Sequence, residues 1–273
     1  TVGRDFKLGV RELGVEAMAT ILEAFGTPAT SLLYFETTLH RLLREKRGFV
    51  GIDELIRMAE EGEFSPTQSS YGADAVNRTL RSRLEALKLT GMVAREPFEA
   101  SSFEWVWEGI REGGAAAFDL ADLSTPARMG FAQALLRFLF ALVEQDEKLP
   151  FVFFEEAHLY VTPQGVDALV TRARHTGITS FFITNTPTAL PEGVLRAADN
   201  LFLFRLPLEE DVRWVAKSGL VDEASLAALV RALPRYACLV LGEASGGYPL
   251  VLLPDPLEGV ETRGKTRYFF AAP

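Results

Sequence analysis

Phe151-Val152-Phe153-Phe154-Glu155-Glu156-Ala157-His158 is the stretch on which the fold turns. Four large apolar residues run without polar alternation into two adjacent carboxylates. Such a run predicts a fully buried central strand with both faces covered. Acids at the carboxyl end of such a strand lie where open α/β sheets bind ligands. The pattern is that of a Walker B element, in which one carboxylate orients Mg²⁺ and its waters and the next polarises the water that attacks a γ-phosphate. Strand alternation would send the Glu155 and Glu156 side chains to different sides, one toward metal and one toward water. A buried strand that merely ends in two exposed glutamates has the same letters, so the flanking segments must decide.

Downstream, residues 164–176 have a helical pattern that Gly177 stops, and Ile178 to Thr184 reads as the next strand. Asn200 to Arg205 is another strand, Glu209 to Lys217 and Glu223 to Ala232 are helices, and Ala237–Gly242 pairs with Tyr248–Leu253 as a hairpin. Upstream, Ala115 to Leu120 reads as a short strand. Ser124-Thr125-Pro126 suits a helix start, and that helix runs to about Glu147 before Pro150 breaks it. Strands alternating with helices predict an α/β fold with a mostly parallel sheet and an antiparallel edge. The first hundred residues differ. Residues 10–25, 31–45, 52–61 and 73–90 carry apolar residues at helical spacing, with Leu13, Met18, Ile21 and Leu22 in the first and Val76, Leu80, Leu84 and Leu87 in the last. They predict an all-α helical bundle over 1–100, followed by an α/β core over 101–273.

The chain has 273 residues, 48% of them hydrophobic, ample for a sizeable core. A single cysteine, Cys238, excludes a disulfide framework and a cysteine-based metal site, and the three histidines are dispersed. The densest apolar stretch, Phe131 to Val143, contains Gln133 and Arg137 and is too short to span a bilayer. With no signal-peptide pattern, a soluble cytoplasmic protein without membrane association is the expectation. A net charge of −9 argues against coating a nucleic acid electrostatically, but a few basic loops in a narrow pore would suffice to hold DNA.

Other residues are candidates for the same chemistry. Asn185, at the end of the second strand, has an amide able to hydrogen-bond a γ-phosphate and an attacking water, although an Asn opening a turn before Pro187 is common. Arg172 and Arg174, on the helix-to-strand connection, could reach a neighbouring subunit's nucleotide as an arginine finger or could simply end a solvated helix. His158 follows the acids and either senses nucleotide state, reaches DNA, or caps a turn. Gly259 to Thr266 matches the G-x-x-x-x-G-K-[ST] phosphate-loop spacing. That loop needs a strand before it and a helix after it, whereas Arg267 to Phe270 looks like a strand. A basic exposed hairpin or C-terminal arm is the reading for this segment.

Taken in order, the segments from Ala115 to about Pro254 resemble the C-terminal part of a HerA-type ATPase, of the HerA/FtsK group of P-loop DNA pumps. The matching runs are Ala116–Ser124, Phe151–His158, Ala173–Pro187, Leu190–Asn200 and Phe204–Leu206. Residues 10–95 resemble the helical bundle this family inserts in its ATPase core. The resemblance implies a P-loop NTPase (RecA-like) fold, ATP and Mg²⁺ as ligands, and a homo-oligomeric ring, a hexamer, that passes double-stranded DNA through a central pore. Family members often work with a nuclease in DNA end processing. By resemblance, Glu155 orients the metal, Glu156 is the catalytic glutamate, Asn185 is the sensor, and Arg174 is the finger offered to a neighbour. Arg205 is a second candidate to reach the neighbouring nucleotide. The sequence departs from the family's pattern in having Glu-Glu where Asp-Glu is usual and Asn where Gln is usual.

A larger departure is that the family's phosphate loop precedes the bundle, and nothing in residues 1–114 supplies one. Thr1 opens no obvious element and no initiator Met is present. Two expectations follow. Either an upstream segment carries the loop and the protein is a DNA-dependent ATP hydrolase, or catalysis is lost and the chain is an ATPase-like assembly module. A conjugation or secretion pump is a third reading, and these residues alone are not expected to hydrolyse ATP.

Overall fold

A computed structural model describes residues 1–65, 71–143, 151–161 and 177–255. The helix expected over 164–176 and the Gly259 to Thr266 segment lie outside them. The chain divides into two compact units, Thr1–Val194 and Leu195–Pro273.

The helical spacing of the N-terminal region produces α1 (Val10–Ala24), α2 (Ala29–Glu45), α3 (Ile52–Glu60) and α4 (Tyr71–Leu89). Their apolar stripes meet in one core containing Leu13, Ile21, Phe35, Leu55, Leu80 and Leu84. Each such side chain contributes about 1.5–3 kcal/mol by leaving water. A fifth helix, α5 (Phe103–Ile110), starts at Ser102, whose hydroxyl accepts from the Glu104 amide at 3.1 Å.

The helix α6 (Thr125–Val143) is the wall between two cores. Ala127, Phe131 and Ala134 face the helical core, while Leu136, Leu139 and Leu142 join Val152 and Phe154 in the next. At Gly130 a side chain would meet Ile21 Cδ1 at 2.3 Å, so α1 and α6 approach at a spot where only glycine fits.

Gly14 interrupts α1 with φ 79° and ψ 169°. The break exposes carbonyls that would otherwise be bonded within the helix, and the Arg137 guanidinium donates to those of Arg11 and Glu12. A Cβ at Gly14 would sit 2.2 Å from that guanidinium.

The segment Ala115 to Leu120 is not a strand. Phe118 instead packs edge-on against Phe6, Phe103 and Phe131, with ring centroids 5.1, 5.8 and 5.3 Å away. Burial of the ring among other rings holds this segment where ladder pairing was expected.

The strands β1 (Phe151–Phe154) and β2 (Thr179–Phe182) pair in parallel, Phe151 opposite Thr179 and Phe154 opposite Phe182. The expectation of a strand covered on both faces is corrected here. Val152 and Phe154 are buried against α6, but Phe151 and Phe153 are 68% and 62% exposed. On the open face Phe153 stacks on Phe181 at 4.6 Å, so the aromatic run packs across the strands as well as into the core.

Helix α7 (Glu192–Ala197) comes next along the chain. In the second unit β3 (Asn200–Leu203), β4 (Cys238–Gly242) and β5 (Leu250–Leu252) form an antiparallel sheet in that order. Helices α8 (Glu209–Ala216) and α9 (Glu223–Ala232) bury Val212, Val215, Leu226 and Val230 with Leu201, Leu239 and Leu241. The expected hairpin is present, with Cys238 opposite Leu252. The expected mostly parallel sheet is not what the described residues form. They form one parallel pair and a separate antiparallel sheet, because β3 runs against β4 as β5 does. Among the described residues no helix is long and apolar enough to cross a membrane.

Candidate functional site

The chain leaves β1 through a tight turn. Glu155 and Glu156 lie beyond the last paired residue, and a single 3-10 turn, Ala157–Leu159, follows. Glu156 is left-handed, with φ 50° and ψ 44°. That conformation costs an L-residue about 1–2 kcal/mol and, away from glycine, marks positions that the surroundings hold in place. The backbone therefore turns at the second carboxylate, where a continuing strand pleat was expected.

Two hydrogen bonds continue the pairing past the strands. Ile183 N–H donates to Phe154 C=O at 3.0 Å, and Ala157 N–H donates to Ile183 C=O at 2.9 Å. They hold the Glu156 turn beside the Thr184-Asn185-Thr186 turn at the carboxyl end of β2. The Glu156 amide carbonyl accepts from Leu159 N–H at 2.9 Å, closing the 3-10 turn.

The Glu156 side chain is 45% exposed, yet its Oε2 is buried and accepts no hydrogen bond among the described residues. The polar atom facing that oxygen is His158 Nδ1, at 3.5 Å. His158 is 16% exposed, and the same Nδ1 lies 2.9 Å from Thr184 Oγ1. Thr184 Oγ1 also accepts from Thr186 N–H at 3.0 Å, and Thr186 Oγ1 donates to Asn185 Oδ1 at 2.8 Å. Asn185 is exposed. Tyr160 Oη donates to the Glu155 carbonyl at 2.8 Å. Burial first, and the Glu155 charge next, push the Tyr160 phenol up to about 12, so it remains a donor at neutral pH.

Of the residues singled out in the sequence, the structure brings together Glu155, Glu156, His158 and Asn185. Arg172 and Arg174 lie outside the described residues. Arg205 is exposed just beyond β3, in the second unit. Two contributors escaped the sequence reading. Thr184 adjoins Asn185, and its position at a strand end was the available signal. Tyr160 acts through a contact to a backbone carbonyl, which leaves no trace in composition.

Among the described residues no group of three or more acidic, histidine or cysteine side chains is placed to cage a metal. Mg²⁺ needs no such cage, since it keeps several waters and takes one or two carboxylates with phosphate oxygens. The exposed Glu155 carboxylate and the unbonded Glu156 oxygen fit that kind of demand.

No family model matches the chain, and no curated protein matches it. Solved structures resemble it in part. One is the genome packaging NTPase B204 from Sulfolobus turreted icosahedral virus 2 in complex with AMPPCP. It is 19% identical over 58% of this chain and 78% of that chain, with a TM-score of 0.41. The same NTPase with AMP is 21% identical, covers 48% of this chain and 61% of that one, and has a TM-score of 0.36. With ATP-gammaS the values are 21%, 42%, 62% and 0.34. Likeness of this extent is local and assigns no family.

Proposed function

We propose that the chain carries the acid-pair and sensor part of an ATP-hydrolysing site in a ring-forming translocase of double-stranded DNA. The observation that carries this reading is the Ala157 N–H to Ile183 C=O bond, 2.9 Å long. It fixes Glu156 and Asn185 to the same carboxyl end of a parallel strand pair, the end at which α/β sheets take ligands. Glu156 polarises the attacking water, and the Asn185 amide hydrogen-bonds the γ-phosphate or that water. Glu155 would hold Mg²⁺, and the bound ion would supply positive charge against the phosphate oxygens.

The order of segments resembling the HerA/FtsK group supports DNA as the polymer moved. It also supports an oligomeric ring in which Arg174 or Arg205 of one subunit faces its neighbour's nucleotide. A hexamer and a nuclease partner belong to the same reading. The phosphate cradle would come from residues other than those described.

The test is ATP turnover by the full-length protein with and without linear double-stranded DNA. DNA should stimulate turnover, and Glu156→Gln should lower kcat about 100- to 10,000-fold with nucleotide binding retained. Unchanged turnover in that variant would remove Glu156 from its role. No turnover by the wild-type protein, with DNA present, would favour the assembly-module reading.

A further inference from the structure

We infer that His158 is the positioning residue for Glu156, tying its carboxylate to the end of β2 through Thr184. This rests on the ATP-hydrolysing reading for its kinetic consequence, but its structural content stands on the hydrogen-bond geometry alone.

Glu156 Oε2 is a buried acceptor whose polar neighbour is His158 Nδ1, at 3.5 Å. An ionised carboxylate offers no hydrogen, so a bare Nδ1 lone pair would set two acceptors against each other out of water, a costly arrangement. The proton therefore sits on Nδ1. There it points into the space between Thr184 Oγ1, at 2.9 Å, and the carboxylate. Thr184 Oγ1 accepts this hydrogen together with that of the Thr186 amide, at 3.0 Å. The Thr186 hydroxyl in turn donates to Asn185 Oδ1. A continuous polar path thus links the Glu156 carboxylate to the Asn185 amide.

The left-handed turn at Glu156 explains why a clamp is needed. The side chain is left half-exposed there, with rotamers to choose among. His158 Nδ1 faces one of its oxygens across 3.5 Å. Movement of the Thr184-Asn185-Thr186 turn, when a ligand engages Asn185, is transmitted to that oxygen through the imidazole.

Three variants of the full-length protein test this. An asparagine side chain can place an N–H where Nδ1 lies, and a glutamine places one nearer Nε2. His158→Ala and His158→Gln should lower kcat about 10- to 100-fold, the scale of a misplaced catalytic group, with KM for ATP changed less than about 2-fold. His158→Asn should restore most of kcat. Equal, wild-type kcat in all three overturns the inference, as does a rise in KM without loss of kcat. If Glu156→Gln abolishes turnover while the His158 variants do not, only the His158 assignment falls. If wild-type turnover survives Glu156→Gln, the site reading falls instead. The tautomer is measured independently of activity by side-chain ¹⁵N chemical shifts. An Nδ1–H tautomer in the wild-type protein supports the clamp, and an Nε2–H tautomer overturns it.

Discussion

Phe103, on α5, is 1% exposed and lies in a cluster of rings with Phe6, Phe118 and Phe131. Phe153, on β1, is 62% exposed and stacks on Phe181. The two phenylalanines have the same chemistry and belong to differently built regions. In the helical region this ring cluster is enclosed, and Arg137 caps the backbone break at Gly14. At the strand ends a carboxylate oxygen lacks a hydrogen bond and a non-glycine residue is left-handed. The unsatisfied end of β1 and β2 is where binding energy can still be gained.

The comparison is sharpened first by truncating the two rings. Phe103→Ala should cost about 3–5 kcal/mol in denaturant unfolding, the range for an enclosed aromatic. Phe153→Ala should cost about 1 kcal/mol or less, a cross-strand pair contribution. Equal costs would break the comparison and show that the outer face of β1 is enclosed in the full protein.

The Gly14 break comes next. In an ordinary helix Gly→Ala stabilises by about 1 kcal/mol, because alanine has the better propensity. Here φ is 79° and the Arg137 guanidinium occupies the space, so the sign should reverse to a loss of about 1–3 kcal/mol. A stabilised Gly14→Ala would mean that the helical region tolerates a straight α1 and that Arg137 caps nothing essential. A smaller loss is expected at the strand ends. Tyr160→Phe removes the bond to the Glu155 carbonyl and should cost about 0.5–1.5 kcal/mol by thermal unfolding.

These contrasts also separate what could be read in the letters from what could not. The helices α1 to α4 follow apolar residues at helical spacing, and α9 follows a capping Asp222 whose side chain accepts from Ser225 N–H at 2.9 Å. Their signals are local. The stretch Phe103-Glu104-Trp105-Val106-Trp107-Glu108 places a large ring at every second position, followed by an acid in two of the three pairs, a strand-like period that masks α5. In the fold only Phe103 and Trp107, four apart, are the buried pair of that helix. Four apolar residues before the acids located β1 but could not distinguish one covered face from two, since period and burial give the same run. The acid pair and Asn185 were legible as strand-end residues. The contact of His158 with Thr184 was not, because it joins residues 26 positions apart through a register set by β-pairing. Nor was the Glu156 backbone, since glutamate has no preference for the left-handed region.

That backbone supplies the smallest expected effect, and its sign distinguishes the two regions. Glycine adopts φ 50° at no steric cost, although it loses more chain entropy on folding. Glu156→Gly removes the left-handed penalty and the buried unbonded oxygen together. The net result should be a gain of about 0.5–1 kcal/mol in unfolding free energy, while ATP turnover by the full-length protein is lost. A structural glutamate would behave oppositely, its removal costing stability and leaving turnover untouched. Opposed changes in stability and activity at one residue would mark the strand end as held in a strained shape for its chemistry. The same substitution applied to an enclosed residue such as Phe103 should lose stability with no compensating gain.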